Sequence, residues 1–293
     1  MKIEKAGQSG FCFGVGRALE IVEKAARERG GVEMLGSVVH NDRVMAELEN
    51  LGCRVARAPD DIRGAAVVTS AHGITPELLR EFKERGIEVI DTTCPFVRRA
   101  QTAARKLARA GFFVVVYGEA AHTEVKGILG WAGGRGLAAL DTRFLASLQP
   151  LPRRLGVVSQ TTQMPARFQR FIKKLVSEAF TQNSEFRLVD TICYDIRERQ
   201  AQAADLAARV DLMIIVGGRE SANTRHLARL CSRITRTHRV AEAREIRPSW
   251  LRGHRHIGVA GGASTPQSSL AEVLARLREL TAGSGSPVKS PGR

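Results

Sequence analysis

Cys12, Cys94 and Cys193 are the residues of this 293-residue chain whose spacing first suggests chemistry. Asp91-Thr92-Thr93-Cys94 and Asp190-Thr191-Ile192-Cys193 each follow a short apolar run. Moving the first onto the second by 99 positions also aligns Arg98 with Arg197, Gln101 with Gln200, Leu107 with Leu206 and Gly118 with Gly217. Moving back by 82 positions puts Cys12 on Cys94, Gly36 on Gly118 and His40 on His122. Each copy therefore carries a Gly 24 positions after its Cys and a polar residue at 28, namely His40, His122 and Ser221. A later strand in each copy ends in a second polar cluster: Thr69-Ser70-Ala71-His72-Gly73, Ser159-Gln160-Thr161-Thr162 and Gly262-Ala263-Ser264-Thr265. Register kept through two independent shifts indicates an internal repeat. The chain reads as three related units, each offering one thiol. Cys53 and Cys231 fall outside the register and read as small core residues.

A thiol at a helix N-terminus feels the positive end of the macrodipole, which favours the thiolate. Pro95, directly after Cys94, suits the first helical position. Three such thiols could be buried structural cysteines, a zinc site with an open position, or the ligands of an iron–sulfur cluster. Zinc sites usually carry close C-x-x-C pairs, which this chain lacks. A cubane held by three thiolates leaves one iron without a protein ligand, free to act as a Lewis acid. His40, His72, His122, Thr161, Ser221, Asn223 and Ser264 stand at strand ends, where side chains and helix N-termini can cradle a phosphate or diphosphate. Glu124, two residues after His122, could deliver protons to a bound substrate. The competing reading of Glu124 is a solvated charge in a first helical turn. His226, His238, His254 and His256 have no repeat partner and read as ordinary histidines. No P-loop or G-x-G-x-x-G accompanies the set, which argues against ATP and NAD(P).

These residues need a scaffold, and the pattern supplies one. Strands are expected at Val32–Val39, Ala65–Ser70, Ile87–Ile90, Phe112–Tyr117, Leu155–Ser159, Phe186–Val189, Leu212–Val216 and His256–Ala260. Helix-period segments lie between them, among them Ala18–Arg29, Pro76–Arg85, Arg98–Ala110, Ala166–Phe180, Gln200–Val210 and Ser268–Leu280. Strands alternating with helices predict an α/β fold of parallel sheets, with ligands at the carboxyl ends of strands. The repeat divides the chain at 13–94, 95–193 and 194–280. The N-terminal strand, residues 1–12, completes the third unit. The Ser-, Gly- and Pro-rich stretch 281–293 reads as a disordered tail.

Composition narrows the partners. Apolar residues make up 43% and charged ones 26%, enough for a core. Apolar runs are too short to cross a bilayer, and MKIEKAGQSG has no signal core, so a cytoplasmic protein without membrane attachment is expected. The net charge of +15 fits nucleic acid, an anionic surface, a phosphorylated substrate or an acidic protein. Aromatic residues are only 5%, which leaves few stacking platforms for single-stranded nucleic acid. Basic residues on helix faces such as Arg98–Arg109 are also explained by a solvated exterior.

From about Met1 to Leu280 the chain resembles the 4-hydroxy-3-methylbut-2-enyl diphosphate reductase family, the last enzymes of the methylerythritol phosphate route to isoprenoids. The resemblance is carried by Gly10-Phe11-Cys12, Val39-His40-Asn41, Ala71-His72-Gly73, Asp91-Thr92-Thr93-Cys94-Pro95 and His122-Thr123-Glu124-Val125. Gln160-Thr161-Thr162, Asp190-Thr191-Ile192-Cys193-Tyr194, Ser221-Ala222-Asn223-Thr224 and Gly262-Ala263-Ser264 complete it. It implies a trefoil of three α/β units around a 4Fe–4S cluster bound by Cys12, Cys94 and Cys193. It also implies that His40, His72, His122, Ser221, Asn223 and Ser264 hold the substrate diphosphate, with Glu124, Thr161 and His122 serving catalysis. The implied reaction binds the allylic hydroxyl at the open iron, adds two electrons and loses water, yielding isopentenyl and dimethylallyl diphosphate. An acidic electron carrier, a ferredoxin or flavodoxin, is the implied partner, and the positive charge suits it. The chain departs from the usual family pattern at Thr123, where proline is common, at Ala222, where a second serine is common, and at Asp195-Ile196. The substrate expectation therefore has an alternative, a diverged relative acting on another phosphorylated allylic alcohol. A basic nucleic-acid-binding protein is the remaining alternative.

Overall fold

A computed structural model of the chain describes residues 1–39, 41–181 and 184–282. In chain order its elements begin β1 (Lys2–Lys5), α1 (Phe13–Arg29), β2 (Glu33–Leu35), α2 (Asp42–Asn50), β3 (Arg54–Ala56), β4 (Ala66–Val68) and α3 (Pro76–Glu84). They continue with β5 (Glu88–Ile90), α4 (Pro95–Arg109), β6 (Phe113–Tyr117), α5 (Thr123–Trp131), β7 (Gly136–Ala139), β8 (Arg154–Ser159) and α6 (Pro165–Ala179). The last are β9 (Glu185–Leu188), α7 (Tyr194–Ala207), β10 (Leu212–Val216), α8 (Ala222–Cys231), β11 (Arg236–Val240), α9 (Pro248–Leu251), β12 (His256–Gly261) and α10 (Gln267–Ala282). Thr281 and Ala282, which composition assigned to the tail, thus continue the last helix; the rest of that segment, and His40, lie outside the described residues.

Among the described residues the strands form three four-stranded sheets, and every pairing is parallel. The strand orders are β3-β2-β4-β5, β7-β6-β8-β9 and β11-β10-β12-β1. Each is the same arrangement: second strand, first, third, fourth. In the last sheet the fourth place is taken by β1 from the start of the chain, in parallel register with β12 from Lys2↔His256 to Lys5↔Val259. The repeat seen in the residues is therefore also a repeat of topology. In such an order the chain reverses between the first and third strands, and the crevice beyond their carboxyl ends is where α/β sheets bind ligands.

The chain divides into two compact units, Met1–Phe11 with the chain from Glu198 onward, and Cys12–Arg197. The first unit holds the sheet of β1, β10, β11 and β12. Every residue of β10 is buried, because helices cover both faces and leave no reason for polar alternation. Ile214 and Val216 pack with Val259, Leu270 and Val273 on one face, while Met213 and Ile215 meet Leu206 and Leu227 on the other. At its edge His238 stacks on Trp250, ring centroids 4.0 Å apart and 8° from parallel. The second unit holds the other two sheets. Val114, Val116 and Val158 pack on Ala104, Val125 and Ile128, and Val115 and Val157 pack on Phe168 and Leu175. Phe82 anchors the smaller core of Ala56, Ile62, Val67 and Ile74. Trp131, at the end of α5, donates its indole N–H to the Ile74 carbonyl at 3.0 Å.

Three differences from the sequence expectation have physical causes. The strand expected over Val32–Val39 stops at Leu35, because Gly36 adopts φ 72°, a left-handed conformation no strand continues through. The strands β3, β7 and β11 carry no strong signal, since each is an edge strand covered less completely than its neighbours. The helices after the three repeat cysteines begin well before their apolar periodicity does. Among the described residues no helix is long and apolar enough to cross a membrane.

Candidate active site

Each repeat cysteine follows the fourth strand of a sheet and directly precedes a helix. Cys12 is the N-cap of α1, its sulfur accepting the Val15 N–H at 3.4 Å. Cys94 is the N-cap of α4, and Cys193 stands immediately before α7. The repeated Asp-Thr pattern before the second and third cysteines is a turn-fixing device. The Asp91 carboxylate accepts the Thr93 N–H at 2.8 Å and pairs with Arg98; Asp190 accepts the Ile192 N–H at 3.1 Å and pairs with Arg197. Thr92 gives its hydroxyl to the Thr69 carbonyl at 2.6 Å, and its N–H to the Thr69 hydroxyl at 3.1 Å. Thr191 uses its hydroxyl for both bonds to Ser159, donating to the Ser159 carbonyl and accepting the Ser159 N–H at 2.8 Å. Asp and Thr thus bolt the turn to the neighbouring strand, and the cysteine follows at a fixed place.

The cysteine turns are joined to the polar loops. Cys94 N–H donates to Ala71 O, beside His72, and Cys193 N–H donates to Thr161 O, each at 3.0 Å. The first turn of α1 lies against Cys94: a β-carbon on Gly14 would stand 2.4 Å from the Cys94 sulfur. Arg17 of the same helix reaches the Thr93 carbonyl at 3.4 Å. Burial raises the Cys94 thiol above its ordinary range, against the pull of the Phe96 and Val97 N–H groups. Burial pushes the Cys193 thiol up to about 11, the Ile196 and Asp195 N–H groups opposing it. Buried thiols of this kind need a nearby cation to ionise, and helix-start N–H groups directed at the sulfurs suit soft-metal ligation. Among the described residues, no three His, Cys, Asp or Glu side chains converge as a single ion requires. The donor set, three thiols each at the start of a helix, has the soft sulfur chemistry that an iron–sulfur group requires. Cys231, by contrast, is pushed up to about 12 by burial alone, as a core residue should be.

Beyond β6 and β8 stand His122 and the Glu124–Thr161 pair. His122 caps α5, its Nδ1 accepting the Glu124 N–H at 3.2 Å. With Nδ1 accepting, a neutral ring carries its proton on Nε2. The His72 ring meets His122 edge to face with centroids 5.2 Å apart, and His72 Nδ1 lies 3.3 Å from the Ser70 hydroxyl. Glu124 is only 1% exposed, so the solvated-charge reading of it is overturned. Its Oε1 accepts the Thr161 N–H at 2.6 Å and its Oε2 accepts the Thr161 hydroxyl at 3.1 Å. Burial pushes the Glu124 carboxyl up to about 7 although both Thr161 hydrogen bonds favour the carboxylate. A carboxyl half-protonated at neutral pH is well matched to general acid work. Thr161→Val removes the hydroxyl donor but keeps the backbone one. It is expected to move the Glu124 titration further upward, seen as an alkaline displacement of the pH–rate limb, with a stability change of about 1 kcal/mol.

The first unit brings its own predicted residues together at the ends of β10 and β12. Ser221 caps α8, accepting the Thr224 N–H at 3.3 Å. Gly217 and Gly262 crowd Thr224, where added β-carbons would stand 2.5 and 2.2 Å from its hydroxyl oxygen. Thr265, next to Ser264, gives its hydroxyl to Val216 O at 2.9 Å, which holds the Ser264 loop to the end of β10. Asn223 is 5% exposed, and neither atom of its amide has a hydrogen-bond partner. A buried amide without partners is costly, and a ligand or an ordered water is what satisfies such a group. In the first copy the helix cap is Asn41, one position after His40, accepting the Val44 N–H at 3.2 Å.

Gln101 and Gln200 were visible as repeat partners but not as site candidates. Each lies seven residues after a cysteine, on the same helix face, buried with its amide nitrogen unpartnered. The positions that depart from the usual family pattern sit differently. Thr123 is exposed at the first position of α5, and Ile196 meets Cys193 through its backbone N–H. Ala222 is buried at the start of α8 and offers no hydroxyl.

A family model described as LytB protein matches residues 3–278. The chain belongs to the LytB family. A relative from Dehalococcoides mccartyi, named 4-hydroxy-3-methylbut-2-enyl diphosphate reductase, is 51% identical over 97% of this chain and 100% of its own length. One of the same name from Geobacter metallireducens is 39% identical over 96% of this chain and 98% of its own. A solved structure of (E)-4-hydroxy-3-methyl-but-2-enyl diphosphate reductase, titled the terminal enzyme of the non-mevalonate pathway, is 34% identical. It covers 95% of this chain and 100% of its own, with a TM-score of 0.69. The corresponding Plasmodium falciparum structure, at 24% identity and a TM-score of 0.87 over 96% of this chain and 88% of its own, shares the fold.

Proposed function

We propose that this chain reduces (E)-4-hydroxy-3-methylbut-2-enyl diphosphate to isopentenyl and dimethylallyl diphosphate. Two electrons and two protons are consumed, the allylic C–O bond breaks, a C–H bond forms and one water leaves. The observation that carries this reading is the buried Glu124–Thr161 pair, whose Thr161 carbonyl is hydrogen-bonded to the Cys193 amide. It joins a proton source directly to the thiol set. A 4Fe–4S cluster held by Cys12, Cys94 and Cys193 would supply the electrons and a Lewis-acidic iron without a protein ligand.

The remaining work belongs to side chains. Glu124, with a carboxyl poised near neutrality, supplies a proton to the departing hydroxyl, and Thr161 orients it. His122, its proton fixed on Nε2, and His72 beside it donate to the diphosphate. Ser221, Asn223 and Ser264 bind the same group, and His40 joins them by its repeat position. An acidic electron carrier, a ferredoxin or flavodoxin, delivers the electrons, and the +15 charge favours its approach. A cytoplasmic location accords with five cysteines and no disulfide among the described residues.

The deciding experiment is anaerobic turnover of the hydroxymethylbutenyl diphosphate with reduced methyl viologen, following both isomeric products. Formation of both supports the assignment, and consumption of electrons without either product would overturn it. Asn223→Ala supplies a second check. It removes no hydrogen bond, so the melting temperature should hold or rise, while pyrophosphate binding measured by calorimetry should weaken about tenfold.

A further inference from the structure

α4 carries five basic residues, Arg98, Arg99, Arg105, Lys106 and Arg109, and no acidic one. Its exposed side borders an open groove of about 700 Å³ that it shares with the end of β9. The groove runs from Pro95 to Leu107, about 18 Å along the helix at 1.5 Å per residue. Its floor is apolar: Pro95 is exposed, and Leu188 is 52% exposed, an unusual state for a leucine beside a core strand. Its rim is cationic. Arg98 is tied to Asp91 and Arg187 to Glu185, but Arg99 and Lys106 make no ion pair among the described residues. An apolar centre within a charged rim is the anatomy of a transient protein interface.

The position of the groove matters as much as its charge. Pro95 is covalently next to Cys94, so a partner seated there approaches one of the proposed cluster ligands by its adjoining residue. Each turnover takes two electrons, so a one-electron carrier must dock, donate and depart twice. Weak, electrostatically steered association meets that need, and electron-transfer complexes are small enough for such a groove to serve.

We propose that the groove between α4 and β9 is the docking surface for a small acidic electron carrier. The proposal rests on the reductase reading above and gives it a site of electron entry. Another basic groove, of about 760 Å³ and lined by Arg135, Arg153 and Arg154 together with Glu185, serves as the control.

The test compares the holoenzyme with its Arg99→Glu/Lys106→Glu variant, using a bacterial flavodoxin as the probe. With reduced flavodoxin as donor, the KM for flavodoxin should rise about tenfold or more, and its dependence on ionic strength should flatten. With reduced methyl viologen, which needs no docking surface, the rate should stay within about twofold. Anisotropy of the flavin in oxidised flavodoxin measures binding directly and should show a matching loss of affinity. Arg135→Glu/Arg153→Glu, with the same change in net charge, should leave both flavodoxin readouts near those of the unaltered enzyme. Unchanged flavodoxin KM and affinity in Arg99→Glu/Lys106→Glu, or equal losses in both double variants, would overturn the docking site. Failure of the unaltered enzyme with viologen would instead overturn the reductase reading, while the anisotropy titration would still decide the docking surface.

Discussion

Gly14→Ala is expected to produce a folded protein that fails to retain an iron–sulfur cluster, although it removes no ligand. The new β-carbon would stand 2.4 Å from the Cys94 sulfur, a distance that β-carbons do not tolerate, and 3.0 Å from its β-carbon, which is tight. Relief requires Cys94 to swing its sulfur aside or α1 to move away. Because Cys12 caps that same helix, either response spoils the placement of one thiol relative to another. Overpacking of this kind costs about 1–3 kcal/mol, which a chain of this size survives. Iron analysis of anaerobically prepared protein should fall from about four per chain toward zero, and turnover should fall in proportion. Gly16→Ala is the matched control, since a β-carbon there meets nothing within 4 Å. It should keep its iron and unfold at an equal or higher temperature, because alanine is the better helix former. Full iron content in Gly14→Ala would remove close approach as the reason for that glycine.

Glu124→Gln is expected to slow turnover about 10²–10⁴-fold while leaving substrate affinity nearly unchanged. The amide can still accept the Thr161 N–H, but it has no proton to give. The unaltered enzyme should lose activity as pH rises through about 7, the point to which burial has raised the Glu124 carboxyl from its ordinary 4.5. That limb should be absent in the glutamine variant. The linked effect on folding has a definite sign. A carboxyl raised in the folded state binds its proton more tightly there than in the unfolded chain. Its contribution is therefore fully present below pH 4.5 and lost as pH climbs through about 7. Urea unfolding across that window should show the unaltered protein losing on the order of 3 kcal/mol more than the variant. Parallel pH–stability curves would mean that Glu124 is not held protonated by its surroundings.

The sequence was most readable where burial was greatest. The strand expected at Leu212–Val216 coincides with β10, because helices on both faces demand an unbroken apolar run. It was least readable at the edges. β11, Arg236-Thr237-His238-Arg239-Val240, buries only its last residue and looks like a surface loop until a neighbour supplies its hydrogen bonds. The helices heading the candidate site show a third kind of failure. Periodicity starts α1 at Ala18, α4 at Arg98 and α7 at Gln200, whereas they begin at Phe13, Pro95 and Tyr194. Their caps are cysteines rather than the usual Ser, Thr, Asp or Asn, and Phe13 and Tyr194 are 62% and 68% exposed. Pro95 alone signalled its early start. The cysteine trio and the polar strand ends were legible because repetition exposed them. The role of Gly14 was not, since only the approach of a residue 80 positions away gives it one.

The two tryptophans of the chain are divided between its two units. Trp131 is held by the Ile74 carbonyl in one, and Trp250 lies flat on His238 in the other. Each unit therefore contains its own single tryptophan. Trp131→Phe and Trp250→Phe variants turn intrinsic emission into a separate reporter for each, so that denaturation can be followed one unit at a time without attached dyes. Coincident midpoints would identify a single cooperative transition, and separated midpoints would name the unit that melts first.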